Sequence, residues 1–157
     1  MKRISFFIVF FFLFLVKIEA IDISATGGWS ETVDETNLIS GAGSDLIDTY
    51  ESATNATLAS ISNCTDDSDN WRVEVRRNDS GWYGDFTISV KRTSEGTGTG
   101  SISGGLSYIE ITTTDTELFS GAGNRDNINL QYKLTGMSIN VSQSNYNTTI
   151  IFTVVEI

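Results

Sequence analysis

The sequence predicts an all-β protein that folds as a single β-sandwich, Greek-key or immunoglobulin-like, with about eight or nine strands. Short runs alternate apolar and polar residues with the two-residue period of half-buried strands. No stretch shows a helical period, and clusters of Gly, Asn, Asp and Ser separate the runs in a chain that has no Pro. Because each sheet must cover its apolar face, we expect two packed sheets, with a closed barrel as the alternative.

The N-terminus has the three-part pattern of a secretory signal peptide. Two basic residues precede an apolar run over residues 4–16, and Ala20 is the small residue at the expected cleavage site. The run is shorter than the roughly 20 apolar residues that cross a bilayer, although a membrane anchor is the alternative interpretation. We expect residues 1–20 to be removed and residues 21–157 to form one domain that is secreted, periplasmic or attached to the cell surface.

The domain that remains is strongly acidic. Residues 21–157 carry seven basic and nineteen acidic side chains, which gives a formal charge of −12. Such a surface repels phosphate groups, so we expect neither nucleic acid nor anionic lipid as a partner, and no membrane contact after signal cleavage. A simpler interpretation of the acidity is solubility outside the cell.

The composition argues against catalysis. The chain has no His, which removes the commonest general base and the usual zinc ligand. Ser and Thr are abundant, but no motif places one beside Lys91 or Lys133 as an activated nucleophile. Carboxylate pairs such as Asp115 and Glu117 could serve a glycosidase, yet they arise easily by composition in an acidic chain. We therefore expect a protein that is not an enzyme.

The single cysteine, Cys64, excludes an internal disulfide. Free cysteine is among the most buried residue types, so an inert and partly buried thiol is expected. The alternative is a disulfide that joins two chains.

Individual runs define the predicted strands. The clearest, residues 71–76, places Trp71 and two valines on one face. Residues 86–91 alternate in the same way, and the turn residues at 78–81 between the two runs predict a hairpin. The other predicted strands cover residues 21–25, 57–62, 107–111, 127–134, 137–141 and 148–155.

Two segments that lie eighty residues apart resemble each other. Residues 36–43, TNLISGAG, recur as residues 116–123, TELFSGAG, and the alternation at 57–61 continues in phase at 137–141. Self-similarity at a fixed offset indicates two related half-sandwiches, with chance reuse of a Ser-Gly turn as the alternative. The glycine-rich residues 96–105 are expected to form a mobile loop or a weak edge strand.

Residues 66–70, DDSDN, are the densest group of oxygen ligands in the chain. Asp66, Asp67 and Asp69 on a flexible turn could hold Ca²⁺, which favours several oxygen ligands. The twelve-residue loop with a central glycine and a closing glutamate is absent, so a solvated turn is the alternative. No other cofactor is expected.

Trp82 and Tyr83 follow the turn at 78–81 and are candidates for ligand binding. Exposed aromatic rings stack on sugar faces or anchor a protein partner. The alternative interpretation is that both rings cover the core, because large aromatic side chains are mostly buried.

The C-terminal run, residues 146–155, reads YNTTIIFTVV. It resembles the closing strand of bacterial exported β-sandwich proteins related to spore coat protein U and pilin-like domains, which commonly end in Tyr-x-x-Thr-apolar-x-apolar-Thr. The resemblance implies a subunit that is assembled after export into a surface structure or fibre, with the help of a chaperone.

Two functions are therefore expected. The first is a secreted or cell-surface structural protein, pilin-like and without catalytic activity, that associates with itself or with other surface proteins. Its candidate assembly strand is residues 21–25, in which Ile21 and Ile23 would add to a neighbour's sheet edge, with residues 26–28 as a flexible joint. The alternative is a secreted module that binds a glycan or small ligand through Trp82 and Tyr83.

Overall fold

The computed structural model describes residues 20–157 and shows a β-sandwich made of two antiparallel sheets. The predicted signal peptide, apart from Ala20, lies outside the described residues. Within them the chain forms eleven strands, and a short 3-10 helix lies at Glu35–Asn37. The strands are β1 (Asp22–Gly27), β2 (Tyr50–Glu51), β3 (Thr57–Ser62), β4 (Asn70–Gly81), β5 (Thr87–Arg92), β6 (Thr97–Gly98), β7 (Ser101–Gly104), β8 (Ile109–Glu110), β9 (Thr116–Ala122), β10 (Arg125–Thr135) and β11 (Asn147–Glu156).

The first sheet has the strand order β1-β3-β10-β5-β8, and the two-residue strands β2 and β6 also pair with β10. The second sheet has the order β11-β4-β9-β7. The long strand β10 pairs with β3 near its start and with β5 near its end, from Leu130 to Thr135. As a result β1 and β11, which are close to the two ends of the described chain, are both edge strands.

The core lies between the inner faces of the two sheets. Trp71, Val73 and Val75 of β4 are fully buried, which confirms the face predicted for residues 71–76. The indole Nε1 of Trp71 donates a hydrogen bond to the Gly123 carbonyl at 2.8 Å. The indole therefore buries a large apolar surface and leaves its polar atom paired.

The hairpin predicted between residues 71–76 and 86–91 is wrong. β4 lies in the second sheet between β11 and β9, whereas β5 lies in the first sheet between β10 and β8. The turn residues at 78–81 extend β4, and the chain crosses to the other sheet at residues 82–86. Both runs do bury an apolar face, and strands that face each other across a sandwich satisfy the same pattern as strands paired within a sheet.

Most other predicted strands are confirmed, with two exceptions. Residues 107–111 reduce to the two-residue strand β8, and residues 137–141 form a loop with a turn from Ser138 to Val141. The count exceeds eight or nine because two-residue strands such as β2 leave no periodic pattern. The glycine-rich residues 96–105 do contribute the edge strand β7.

The predicted internal repeat is also wrong as a structural repeat. Residues 116–122 form β9, whereas residues 36–43 form the end of the 3-10 helix and a turn. Phe119 is 1% exposed and its counterpart Ile39 is 64% exposed. The shared residues therefore adopt two different structures, because different neighbours surround them.

Candidate functional site

A groove opens between the two edge strands β1 and β11, which border the sandwich on the same side. Near one end the strands meet, where the Ile21 backbone N–H donates a hydrogen bond to Glu156 Oε1 at 3.1 Å. Towards Gly27 and Asn147 they flank a groove of about 1120 Å³. The groove gives access to the space between the two sheets.

The floor of the groove is mostly apolar. Ile88 of β5 and Leu134 of β10 line it, together with the buried pair Thr57 and Tyr132. The two hydroxyls lie 2.9 Å apart, so each satisfies the other away from water. Burial raises the pKa of the Tyr132 hydroxyl above its ordinary value.

The strand β11 forms one wall of the groove through residues 147–150 and Phe152. It pairs with β4 on one side, and no strand within residues 20–157 pairs with its other side. The inward side chains Ile150, Phe152 and Val154 pack against the core, as predicted. The wall therefore offers both apolar side chains and the unpaired backbone groups of a sheet edge.

Two loops cover the groove from above. Residues 28–49 and 136–146 supply seven apolar lining residues, and side-chain hydrogen bonds join the two loops. The Asp45 carboxylate accepts from the Ile139 N–H at 2.8 Å, and the Asp48 carboxylate accepts from the Gly136 N–H at 3.0 Å. The apolar side chains that these loops supply are Trp29, Val33, Leu38, Leu46, Met137, Ile139 and Val141.

The rim of the groove is acidic. Among residues 20–157, its charged lining residues are Glu31, Asp34 and Glu35, and no basic side chain lines it. The hydroxyl and backbone N–H of Thr36 hydrogen bond to Asp34 and hold the pKa of its carboxyl below the ordinary value. The rim is therefore negative at neutral pH and complements a cationic group on a bound molecule.

Trp82 and Tyr83 belong to an aromatic cluster at the groove. Phe86 lies at its centre, with ring centroids 5.7 Å from Trp82, 5.1 Å from Tyr83 and 5.2 Å from Tyr146. Trp82 Nε1 donates to the Phe86 carbonyl, and the Arg77 guanidinium lies over the indole, 5.5 Å from the ring centroid. Both candidate rings are half-buried and packed against neighbours, which favours a role in closing the core over stacking on a sugar.

The structure does not bring Asp66, Asp67 and Asp69 together as metal ligands. Asp66 accepts from the N–H and hydroxyl of Ser68, while Asp69 accepts from the N–H groups of Thr65 and Asp66. Asp67 instead accepts from the Thr99 hydroxyl. In residues 20–157 no three or more His, Cys, Asp or Glu side chains form a group that could hold a metal ion. The hydrogen bonds within residues 65–69 support the alternative interpretation, a solvated turn before β4.

The candidate assembly strand lies in the chain's own sheet. β1 pairs with β3 over its whole length, with Ile23 opposite Ile61, and Ile21 and Ile23 are half-buried against the core. The expected flexible joint is tied down, because the Gly28 N–H donates to the Ala56 carbonyl at 2.8 Å. Gly27 has a φ of 109°, and a Cβ there would overlap the same carbonyl. A role of this strand in assembly stays a prediction.

The groove itself was not predicted from the sequence. Its loops contain scattered apolar residues without a period, and their positions depend on contacts such as Asp45 with Ile139, far apart in the chain. One signal was present in the sequence. The polar, glycine-rich segment 28–49 contains large apolar residues such as Trp29 and Leu38, which indicates that this loop packs against an apolar surface.

Within residues 20–157 no helix has the length and apolar character needed to span a membrane. Comparison of the chain with protein-family models, curated proteins and solved structures finds no match. The groove and its charged rim are therefore the features from which a function is inferred.

Proposed function

We propose that this chain is a non-catalytic, exported assembly protein whose inter-sheet groove receives an extended apolar segment of another polypeptide. The groove of about 1120 Å³ beside the open edge of β11 is the observation that carries this proposal. A groove of this size lies near the top of the roughly 300–1,000 Å³ range of small-molecule pockets, and its position along the open edge of a strand favours an extended peptide over a small ligand.

The mode of binding follows from the two kinds of surface in the groove. An extended segment laid along β11 would form main-chain hydrogen bonds with the open edge of that strand. Alternate side chains of the segment would point inward towards Ile88 and Leu134. Main-chain bonds supply affinity in such strand addition, and the side-chain pockets supply specificity.

The charge of the groove indicates the chemistry of the partner. Glu31, Asp34 and Glu35 lie on the rim, and none of the lining residues that the structure describes is basic. A segment with a Lys or Arg next to its apolar residues would neutralise this rim. A second copy of this chain fits less well, because residues 21–157 carry a formal charge of −12.

Export and assembly are supported by the two ends of the sequence. The basic and apolar N-terminal pattern is typical of a signal peptide that ends at Ala20. The C-terminal run at 146–155 resembles the closing strand of exported pilin-like domains, and here that run supplies the groove wall. A strand-receiving subunit agrees with both features.

A synthetic peptide tests the proposal directly. The probe is a ten-residue peptide that alternates Val or Ile with Thr and ends in two Lys residues, titrated into purified residues 21–157. Trp29 and Trp82 line the groove, so their fluorescence should change on saturable binding. A peptide with Glu in place of the Lys pair should bind at least about tenfold more weakly, and one with a central Pro should not bind, because Pro removes a backbone donor.

Paired variants of one strand localise the binding. Ile150 faces the groove and Ile151 faces the opposite side of β11. Ile150→Asn should weaken peptide binding at least about tenfold, whereas Ile151→Asn should leave it unchanged. Equal effects of both variants, or equal binding of the Lys, Glu and Pro peptides, would refute binding in the groove.

A further inference from the structure

We infer that cleavage of the Ala20–Ile21 bond creates an N-terminal ammonium that pairs with the Glu156 carboxylate and fastens the first strand to the last. The inference uses the cleavage site predicted from the sequence and is independent of peptide binding. It rests on the position of the Ile21 nitrogen, which lies 3.1 Å from Glu156 Oε1.

The position of this nitrogen is fixed by the fold on both sides. Asp22 begins β1 and pairs with Ser62, and the Ile21 side chain packs half-buried against the core. Glu156 ends β11, where it pairs with Trp71 of β4. The donor and the acceptor are therefore held in place by two separate sheets, through contacts that all lie within residues 21–157.

Cleavage changes the charge of a hydrogen bond that already exists. Hydrolysis of the Ala20–Ile21 peptide bond by a signal peptidase consumes one water. Ala20 leaves as a carboxylate, and the Ile21 nitrogen becomes –NH₃⁺. The neutral amide donor becomes a cation facing a carboxylate, and charge-assisted hydrogen bonds are roughly twice as strong as neutral ones.

The surroundings of the nitrogen favour a cation. It borders a small cavity of about 260 Å³, in which the ionisable side chains from the described part of the chain are Glu156 and Asp69, and none of these described lining residues is basic. Asp69 already accepts two backbone N–H groups, and the nearby Asp22 carboxylate accepts from Asn63 at 2.7 Å. Glu156 is thus the acidic side chain that lies within hydrogen-bond distance of the Ile21 nitrogen.

The consequence is a processed form that is more stable than the unprocessed one. β1 and β11 belong to different sheets, and the Ile21–Glu156 pair joins them at the end opposite the open groove. A stronger pair holds the two sheets together on this side. Removal of the signal peptide during export would then stabilise the folded sandwich.

A thermodynamic cycle tests the pair. Four proteins are compared: residues 21–157, which contain every described strand, with a free or an acetylated Ile21 amine, each with Glu156 or with Glu156→Gln. At pH 6.5 the free amine should raise Tm by about 2–5 °C over the acetylated form when Glu156 is present, and not in the Gln variant. The exposed Glu110→Gln serves as the control and should leave the difference unchanged.

The pH dependence provides a second readout. The ordinary pKa of an α-amino group is about 7.7–8.0, and pairing with a carboxylate raises it. The Tm advantage of the free amine should be lost as the pH rises through that raised pKa. The other titratable groups near the pair, Asp22, Asp69 and Cys64, are present in the free and the acetylated forms alike, so their contributions cancel in this difference.

Three outcomes would overturn the inference. Equal Tm of the free and acetylated forms would show that the charge contributes nothing. A difference that persists in Glu156→Gln would place the effect elsewhere. N-terminal sequencing of the full chain after export that finds a first residue other than Ile21 would remove the ammonium from its partner.

Discussion

The hydroxyl groups of Thr57 and Tyr132 lie 2.9 Å apart at the floor of the inter-sheet groove, where both residues are buried. They come from neighbouring strands, β3 and β10, and Thr57 pairs with Leu130 of β10. Because both residues also line the groove, this contact between two strands of the first sheet stabilises the groove floor.

Removing both hydroxyls should destabilise the domain by less than the sum of the two single losses. Tyr132→Phe leaves the Thr57 hydroxyl buried without a partner, and an unsatisfied buried hydroxyl costs about 1–3 kcal/mol. Thr57→Val should have a similar cost, whereas the double variant should lose clearly less than the sum. Urea unfolding of the four proteins measures the free energies of unfolding. Additive losses would show that the hydroxyls do not depend on each other.

Gly121 of β9 should tolerate no side chain. A Cβ at this position would lie 2.6 Å from Cη2 of Trp71 and would overlap the Ser101 carbonyl. Gly121→Ala should therefore cost about 1–3 kcal/mol by overpacking the core. Gly84→Ala is the matched control, because a Cβ there meets nothing within 4 Å. Equal stability of the two variants in urea unfolding would contradict the packing around Trp71.

The two similar segments, residues 36–43 and 116–123, should respond differently when a side chain at matching positions is truncated. Phe119→Ala removes a fully buried ring and should cost about 3–5 kcal/mol. Ile39→Ala, at the matching position, should change the free energy of unfolding by less than about 0.5 kcal/mol, because the side chain is 64% exposed. Similar losses in the free energy of unfolding at both positions would contradict the different structures of the two segments.

The thiol of Cys64 should react slowly at neutral pH. The side chain is half-buried, as expected, and burial together with the charges of Asp69 and Glu156 raises its pKa. Since the thiolate is the nucleophile, labelling with a disulfide reagent should be slower than for an unfolded control at pH 7 and should accelerate as the pH rises above 9. Rapid labelling of the folded protein at pH 7 would contradict this environment.

Stability should fall at high pH through Tyr108. Burial, reinforced by the Glu51 charge, raises the pKa of this phenol to about 12. A raised folded-state pKa means that the contribution to stability is complete below the ordinary value near 10 and is lost as the pH rises towards 12. Tm should therefore drop between pH 10 and 12, and Tyr108→Phe should reduce the drop. An identical profile in the variant would assign the loss to other groups.

The parts of the fold that depend on local pattern were predictable. Residues 57–62 and 71–76 bury alternate side chains as their two-residue period requires. The pairing of strands was not predictable, because the inward faces of β4 and β5 satisfy the same pattern in one sheet or in two. The hairpin prediction failed for this reason.

The site was less predictable than the fold. The groove is formed by the divergence of β1 and β11 and by loops whose contacts join residues far apart, such as Asp48 and Gly136. Its acidic rim comes from residues 31–35, a short run that has no distinctive motif. One wall of the groove, strand β11, was predictable, because residues 148–155 alternate apolar and polar side chains.

Hydrogen exchange of the β11 amides during peptide binding tests the central claim most directly. In the free protein, amides of residues 147–152 that face the open side should exchange faster than those paired with β4. Saturation with the alternating Val/Thr/Lys peptide should slow these open-side amides at least about tenfold and leave β7, the edge strand at the opposite side of the sheet, unchanged. Binding that leaves the β11 amides unprotected, or that protects β7 instead, would contradict strand addition in the groove.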